Sequence, residues 1–163
     1  MLDSLLDVAP LTWTGLLYAM AAGAIIEMEH QIMGKPAGMR TSMLICIGTY
    51  VFVAISSAVS NDATDPSRII GQVVTGIGFL GAGVMLARDG LVYGVTSAAV
   101  IWILAAIGVL IDTDQELAGV KVALLTVLIL IGIDLLEDSF KALQKGVHSK
   151  ILPKIKKQTP VND

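Results

Sequence analysis

Apolar residues fall into five long runs separated by short polar gaps. The runs cover roughly 11–26, 42–59, 69–86, 91–111 and 117–136. Nearly all of the charge lies outside the runs, in the two ends and in the gaps: Glu27, Glu29, Lys35 and Arg40 in the first gap, Asp62, Asp65 and Arg68 in the second, Arg88 and Asp89 in the third, and Asp112, Asp114 and Glu116 in the fourth. A transmembrane helix needs about 20 predominantly apolar residues. The pattern therefore predicts an all-α membrane protein. Its residues 1–137 form a bundle of five transmembrane helices, and residues 138–163 form a short basic amphipathic tail. In that tail Phe140, Leu143, Val147 and Ile151 make one loose apolar stripe among lysines, as in an interfacial helix resting on anionic lipid. A solvated tail that fixes topology is the other reading.

The third run carries an unusual density of glycine, GQVVTGIGFLGAG from Gly71 to Gly83. At about 100° per residue, Gly71, Thr75, Gly78 and Ala82 share one face. Gln72, Gly76 and Gly83 share the next, and Gly81 interrupts the bulky side. Glycine costs a helix in water about 1 kcal/mol against alanine. In a bilayer, small residues let helix backbones approach closely. This run is expected to be the central helix of the bundle with its small face inward. Trp102, flanked by Ala98 and Ala105 on the fourth helix, reads as a packing knob, and Gly15, Ala19 and Ala22 give the first helix a small stripe of its own. Gly76-Ile77-Gly78-Phe79-Leu80-Gly81 also spells the dinucleotide fingerprint. That motif needs a preceding strand and an acidic residue about 20 positions on. Asp89 comes too early and Asp112 too late, so a nucleotide site is not expected.

Composition agrees with the periodicity. The chain has 163 residues, 55% hydrophobic and 15% charged, with mean hydropathy +0.77; soluble domains carry about 25% charged residues. The net charge of −3 says little, because orientation follows Lys and Arg placement. With the tail in the cytoplasm, five spans put Lys35, Arg40, Arg88 and the tail lysines inside, and Arg68 and Lys121 outside. The expected topology is multi-pass in a bacterial inner membrane, N-terminus outside and C-terminus cytoplasmic. The first ten residues lack the basic n-region of a signal peptide, so the first helix is expected to remain in the mature protein. The single cysteine, Cys46, allows no internal disulfide.

Candidate chemistry lies at the helix ends. Carboxylates at membrane depth are costly and usually face a bundle interior or a water-filled cavity. Glu27, Glu29 and Asp134 are the candidates, and a hard cation such as Mg²⁺ suits a few carboxylate oxygens. The plainer readings are a salt bridge from Glu27 or Glu29 to Arg40, a local Asp65–Arg68 pair, and interfacial capping by Asp134 and Glu137. Asp65 is also an N-cap candidate for the third helix, with Pro66 at its first position. Arg40, Thr41, Thr96 and Ser97 gather toward the cytoplasmic side, and Asp65, Arg68 and Gln72 toward the outer side. His30 shares a face with Glu27 and could titrate near neutrality. Metal-binding Cys/His spacing, a nucleophile–base pair and a phosphate loop are all missing from the sequence. An enzyme is not expected, and neither a cofactor beyond Mg²⁺ nor a nucleic-acid partner is indicated.

Four segments occur in a recognisable order: Ala37-Gly38-Met39-Arg40-Thr41, Asp65-Pro66-Ser67-Arg68, Gly76 to Gly83 as GIGFLGAG, and Gly94-Val95-Thr96-Ser97-Ala98-Ala99 with Trp102. Together they resemble the MgtC/SapB family of bacterial inner-membrane proteins, over roughly the first four helices. The chain departs from the family pattern at Met28, where an Arg commonly stands between the two glutamates, and at Ser42, where a His commonly follows the Arg-Thr pair. The resemblance implies a non-enzymatic membrane protein of low-magnesium adaptation or acid stress that regulates other membrane processes, through contact with another membrane protein. Two alternatives stand beside it: a cation transporter or channel, with Mg²⁺ as a candidate ion and Glu27, Glu29, Arg40 and Asp134 lining the path, and a structural homo-oligomer, a dimer in the simplest case, joined through its glycine face. A hydrated cavity beside Gly76 and Gly83 would favour transport, and a dry helix contact there would favour a regulator or assembly subunit.

Overall fold

The computed structural model describes residues 6–32, 39–61, 65, 67–113 and 115–148; side chains are described up to Leu136, except those of 29–32 and Met39. Among these residues there are five long helices and one two-stranded hairpin: α1 (Trp13–Ile32), α2 (Met39–Val59), α3 (Ser67–Val84), β1 (Leu86–Arg88), β2 (Leu91–Tyr93), α4 (Val95–Asp112) and α5 (Glu116–His148). Four helical stretches are long and apolar enough to cross a membrane: Arg40–Val59, Ser67–Val84, Val95–Asp112 and Glu116–Leu136. Among the described side chains, the apolar part of α1 is shorter, Trp13–Met28. The chain is thus an α-helical membrane protein. Lys35, Asp62, Pro66 and the tail from residue 149 lie outside the described residues.

The core of the first compact unit, which ends at Ile129, is drawn mainly from α1, α2 and α4. Ala19, Ala22 and Ile26 of α1 meet Cys46, Tyr50, Val53 and Ala54 of α2, and Leu104, Ala105, Ile107 and Ile111 of α4 complete it. The expected small stripe of α1 is therefore the face that packs. Close approach is enforced by backbone, not by side-chain fit. A Cβ on Gly23 would come 2.7 Å from Met43 Cα and 2.8 Å from its nitrogen. A Cβ on Gly108 of α4 would come 2.7 Å from the Cys46 carbonyl oxygen and 2.6 Å from Thr49 Cβ. At such contacts small residues carry the packing that hydrophobic gain cannot supply in lipid.

The glycine-rich helix α3 is not the centre of this unit. Gly81 is its one buried residue, where a Cβ would sit 3.7 Å from Ala98 Cβ and 3.9 Å from Trp102 Cδ1. Gly71, Gly76, Gly78 and Gly83 would meet no atom within 4 Å, and Thr75 and Ala82 are exposed. The centre falls to α4 because it carries alanine and glycine on more than one side, Ala98 against α3 and Gly108 against α2. Trp102 packs beside Gly81 yet stays 49% exposed.

The hairpin was not expected; the sequence pattern ends the third helix at 86 and begins the fourth at 91, with only a polar gap between them. Its strands pair antiparallel with Arg88 opposite Leu91, leaving Asp89-Gly90 as a two-residue loop. Both loop residues have positive φ, 53° and 78°, the signature of a type I′ turn, whose twist matches the strands it joins. Gly94, at φ 83°, then turns the chain into α4. At the other boundary α5 runs without a break past Leu136 to His148, so the end of the fifth apolar run is no helix end. Its residues from Leu130 onward belong to a second compact unit.

The N-terminal end of α1 is held by α2. Tyr50 Oη accepts from the Thr12 backbone N–H at 3.0 Å and lies 3.2 Å from Thr12 Oγ1, satisfying a donor that a helix start leaves over. The ring occupies the space a side chain on Gly15 would need, 2.5 Å from Cζ to the ideal Cβ. Trp13 Nε1 donates to the Leu6 carbonyl at 2.8 Å, so this half-exposed indole is tied to the chain before the helix. Tyr50→Phe keeps the packing and removes the hydroxyl's bonds to Thr12, while Thr12 Oγ1 still accepts from Gly15 N–H. It is expected to cost about 1 kcal/mol, read as a lower thermal midpoint in detergent.

Candidate functional site

The site grows from the Gly23 contact. Because α1 and α2 touch backbone to backbone there, the next turn of α1 brings Glu27 against the first turn of α2. Glu27 is 2% exposed and Ser42 is 5% exposed. The Ser42 hydroxyl donates to Glu27 Oε2. The other carboxylate oxygen, Oε1, is buried and has no hydrogen-bond partner among the described residues. Burying an ionised carboxylate without full compensation costs several kcal/mol. One hydroxyl does not supply that compensation, so the carboxylate is the group in this unit best placed to take a cation or a water at Oε1.

The structure separates the other candidates. Arg40 and Thr41 are exposed at the head of α2, and the described partner of Glu27 is Ser42, not Arg40. Glu29 lies on α1, but its side chain is outside the described residues, as is that of His30. Asp134 lies on α5 within the second unit. Among the described residues, no three His, Cys, Asp or Glu side chains gather as a metal site. Thr96 and Ser97 are exposed in the first turn of α4, and Arg68 is exposed at the start of α3. Asp65 makes the capping bond expected of it: Ser67 N–H donates to its Oδ1 at 2.9 Å. Hydrogen bonds from the Ser67 hydroxyl and N–H, helped by the charge of Arg68, hold the Asp65 carboxyl below the usual carboxylate range.

Beside the carboxylate seam runs a second feature. A groove of about 570 Å³ lies between α2 and α3, from Thr41 to Phe52 on one wall and from Ile69 to Leu80 on the other. Its walls are apolar, with Thr41, Thr49 and Gln72 as the polar lining residues, and Gly48 and Gly76 both line it. The groove beside Gly76 is thus neither a hydrated polar cavity nor a dry helix–helix contact.

Several groups were missed by sequence reasoning. Ser42 is the partner of Glu27, and Tyr50 holds Thr12, whose hydroxyl caps α1. Ser57 Oγ donates to Asp112 Oδ2 at 2.8 Å, linking the ends of α2 and α4. The available signal was a hydroxyl in the first turn of α2 facing a carboxylate in the last turns of α1, across a short connection.

The sequence matches the MgtC family over residues 16–139. It is similar to the protein named "Putative magnesium transporter YhiD" of Escherichia coli strain K12, 39% identical over 143 residues, covering 83% of this chain and 65% of the relative. It is also similar to the protein named MgtC of Salmonella typhimurium strain LT2, 45% identical over 100 residues, covering 61% of this chain and 42% of the relative. Protein MgtC of Brucella abortus strain 2308 is 44% identical over 92 residues, with coverage of 56% and 38%. The chain spans less than two thirds of the length of each of these relatives. No solved structure matches it. The matched span takes in the seam between α1 and α2, the glycine helix and the groove beside it, and the chain belongs to the MgtC family.

Proposed function

We propose that this protein serves adaptation to low magnesium or acid stress as a non-enzymatic protein of the bacterial inner membrane. It acts by contact with other membrane proteins, crosses the membrane five times with its C-terminus in the cytoplasm, and works as a homo-oligomer, a dimer in the simplest form. The observation that carries this reading is the separation of its polar and open regions. The buried carboxylate, Glu27, is sealed between α1 and α2, whereas the described grooves along the glycine helix, against α2 and against α4, are walled by hydrocarbon. A cation path needs a run of oxygens or water; a surface for another helix or for lipid does not.

The second reading is cation transport, with Mg²⁺ as the ion. It is favoured by the Glu27 oxygen that has no partner among the described residues and by the magnesium-transporter name of the relative YhiD. Two measurements separate the readings. Purified folded protein in liposomes is expected to pass Mg²⁺ at the rate of empty liposomes. Cells lacking the protein are expected to grow poorly in low magnesium or acid and to be rescued by the intact chain. Flux above background that Glu27→Gln abolishes would replace the regulator with a transporter. Normal growth of the deletion strain under both stresses would remove both readings.

A further inference from the structure

The β1–β2 hairpin joins two helices that are used up by the thickness of a bilayer. α3 and α4 have 18 residues each, about 27 Å of helix, against about 30 Å of hydrocarbon. Neither helix has a turn to spare for lifting its end clear of the lipid. One residue, Met85, separates α3 from β1, and one, Gly94, separates β2 from α4. A side chain on Gly94 would run into the Val84 carbonyl, so the base of the hairpin is pinned against the end of α3. The strands reach only about 10 Å from that base, and the headgroup layer is itself about 5–8 Å deep.

The side chains suit that layer. Leu86, Leu91, Val92 and Tyr93 are each more than half exposed, although a two-stranded hairpin is marginal in water by itself. Leu86 pairs with Tyr93 at the base, and Arg88 with Leu91 beside the loop. Polarity therefore rises with distance from the helices, ending in Arg88 and Asp89 at the tip. Tyrosine is enriched at the membrane–water boundary, and an arginine there lays its stem along apolar groups while its head stays in water.

Two observations fix what covers the hairpin and how deep it goes. Leu91 and Val92 are consecutive in one strand and point to opposite faces, yet both are exposed. A partner protein or a second copy seats on one face; the boundary layer of a bilayer surrounds both. The sheet has two strands among the described residues, so each strand has an outer edge of backbone groups without a ladder partner. Such edges do not occur in lipid hydrocarbon, but they find water and ester oxygens in the headgroup layer.

We propose that the hairpin is a lipid-interface anchor, lying in the headgroup layer with Leu86, Leu91, Val92 and Tyr93 among the ester and upper acyl groups of phospholipids and Asp89-Gly90 in water. It holds the end of α3, and with it the contact of Gly81 with Ala98 and Trp102, at a set depth. This role rests on the reading of α3 and α4 as membrane spans.

Spin labelling in vesicles of phosphatidylglycerol and phosphatidylethanolamine tests it. A Cys46→Ser background removes the single cysteine and keeps a donor for the Leu104 carbonyl. Labels are attached through Phe79→Cys, Leu91→Cys and Val92→Cys, all at exposed positions. Power saturation reads collision with oxygen, which concentrates in lipid, and with a nickel chelate, which stays in water. Phe79, about 8 Å before the end of α3, is the hydrocarbon reference, and a free label in buffer is the water reference. The oxygen-to-nickel ratio at both Leu91 and Val92 is expected to lie about threefold or more below that at Phe79 and about threefold or more above that of the free label. A ratio equal to the free label on either face puts that face in water and overturns the anchor. A ratio equal to that at Phe79 puts the hairpin in hydrocarbon and also overturns it. So does a label shielded from both probes, because a protein, another copy included, would then cover that face. A Phe79 label open to the nickel chelate is a different failure: it removes the membrane span of α3 and the anchor with it. Each labelled protein is first shown to be monodisperse with a wild-type thermal midpoint. With one label on each face, a variant that fails to fold leaves the other to decide.

Discussion

Gly23→Ala and Gly108→Ala are each expected to destabilise the protein by about 2–3 kcal/mol, while Gly71→Ala and Gly78→Ala leave it as stable or more stable by up to about 1 kcal/mol. The four substitutions add the same methyl group to a helix. Their effects differ in sign because the surroundings differ. At Gly23 the added Cβ would stand 2.7–2.9 Å from three backbone atoms of Met43 and Ser42, and backbone atoms cannot rotate away as a side chain can. At Gly108 the obstacles are the Cys46 carbonyl and the Cβ of Thr49, a β-branched residue with little rotamer freedom. Relief in either case requires α2 to move off α1 or α4, which opens a close-packed seam. At Gly71 and Gly78 nothing lies within 4 Å, so only the gain in helix propensity remains. Thermal midpoints of monodisperse protein in mild detergent read the contrast. Equal effects at all four sites would show that the α1–α2–α4 seam is not the core. A loss at Gly78→Ala matching that at Gly23→Ala would place the small face of α3 in a packed contact between copies.

The helices themselves were legible because membrane-spanning runs are written in length and apolarity, which need no tertiary partner to be read. The small stripe Gly15, Ala19 and Ala22 was legible for the same reason: it lies on one face of one helix. The central helix was not. Gly71–Gly83 announces that a backbone can come close, but the sequence does not say whose. The close approaches occur instead at Gly23 and Gly108, single glycines that composition does not single out. The hairpin had a readable signal, Asp89-Gly90 between Leu86 and Tyr93, masked by the apolar residues on both sides that also suit a helix. Glu27 was named from its depth. Its partner Ser42 was noted only as a departure from a family pattern, since a hydrogen bond across two helices depends on their rotation about their axes.

That bond leads to the other large effect. Glu27→Gln is expected to fold and insert as the wild type does, with an unchanged or higher thermal midpoint, and to lose rescue of growth in low magnesium by at least about tenfold. Glutamine has the same length and keeps an oxygen for the Ser42 hydroxyl to donate to. It removes the charge whose second oxygen has no described partner. Replacing a buried, poorly compensated ionic group by a neutral one of similar shape is commonly neutral or stabilising. Stability alone therefore gives no reason to keep a carboxylate 2% exposed between α1 and α2. Combining Glu27→Leu with Ser42→Ala carries the test further, since it removes the polar pair together and leaves no orphaned hydroxyl. This double variant should be at least as stable as Ser42→Ala alone, which strands the carboxylate, and equally unable to rescue growth. Wild-type rescue by both Glu27→Gln and the double variant would reduce the carboxylate to a packing detail. Loss of rescue with the fold intact would make Glu27 the working group of the α1–α2 seam. Flux in liposomes would then decide whether its work is to pass a cation or to hold the seam in the form that another membrane protein meets.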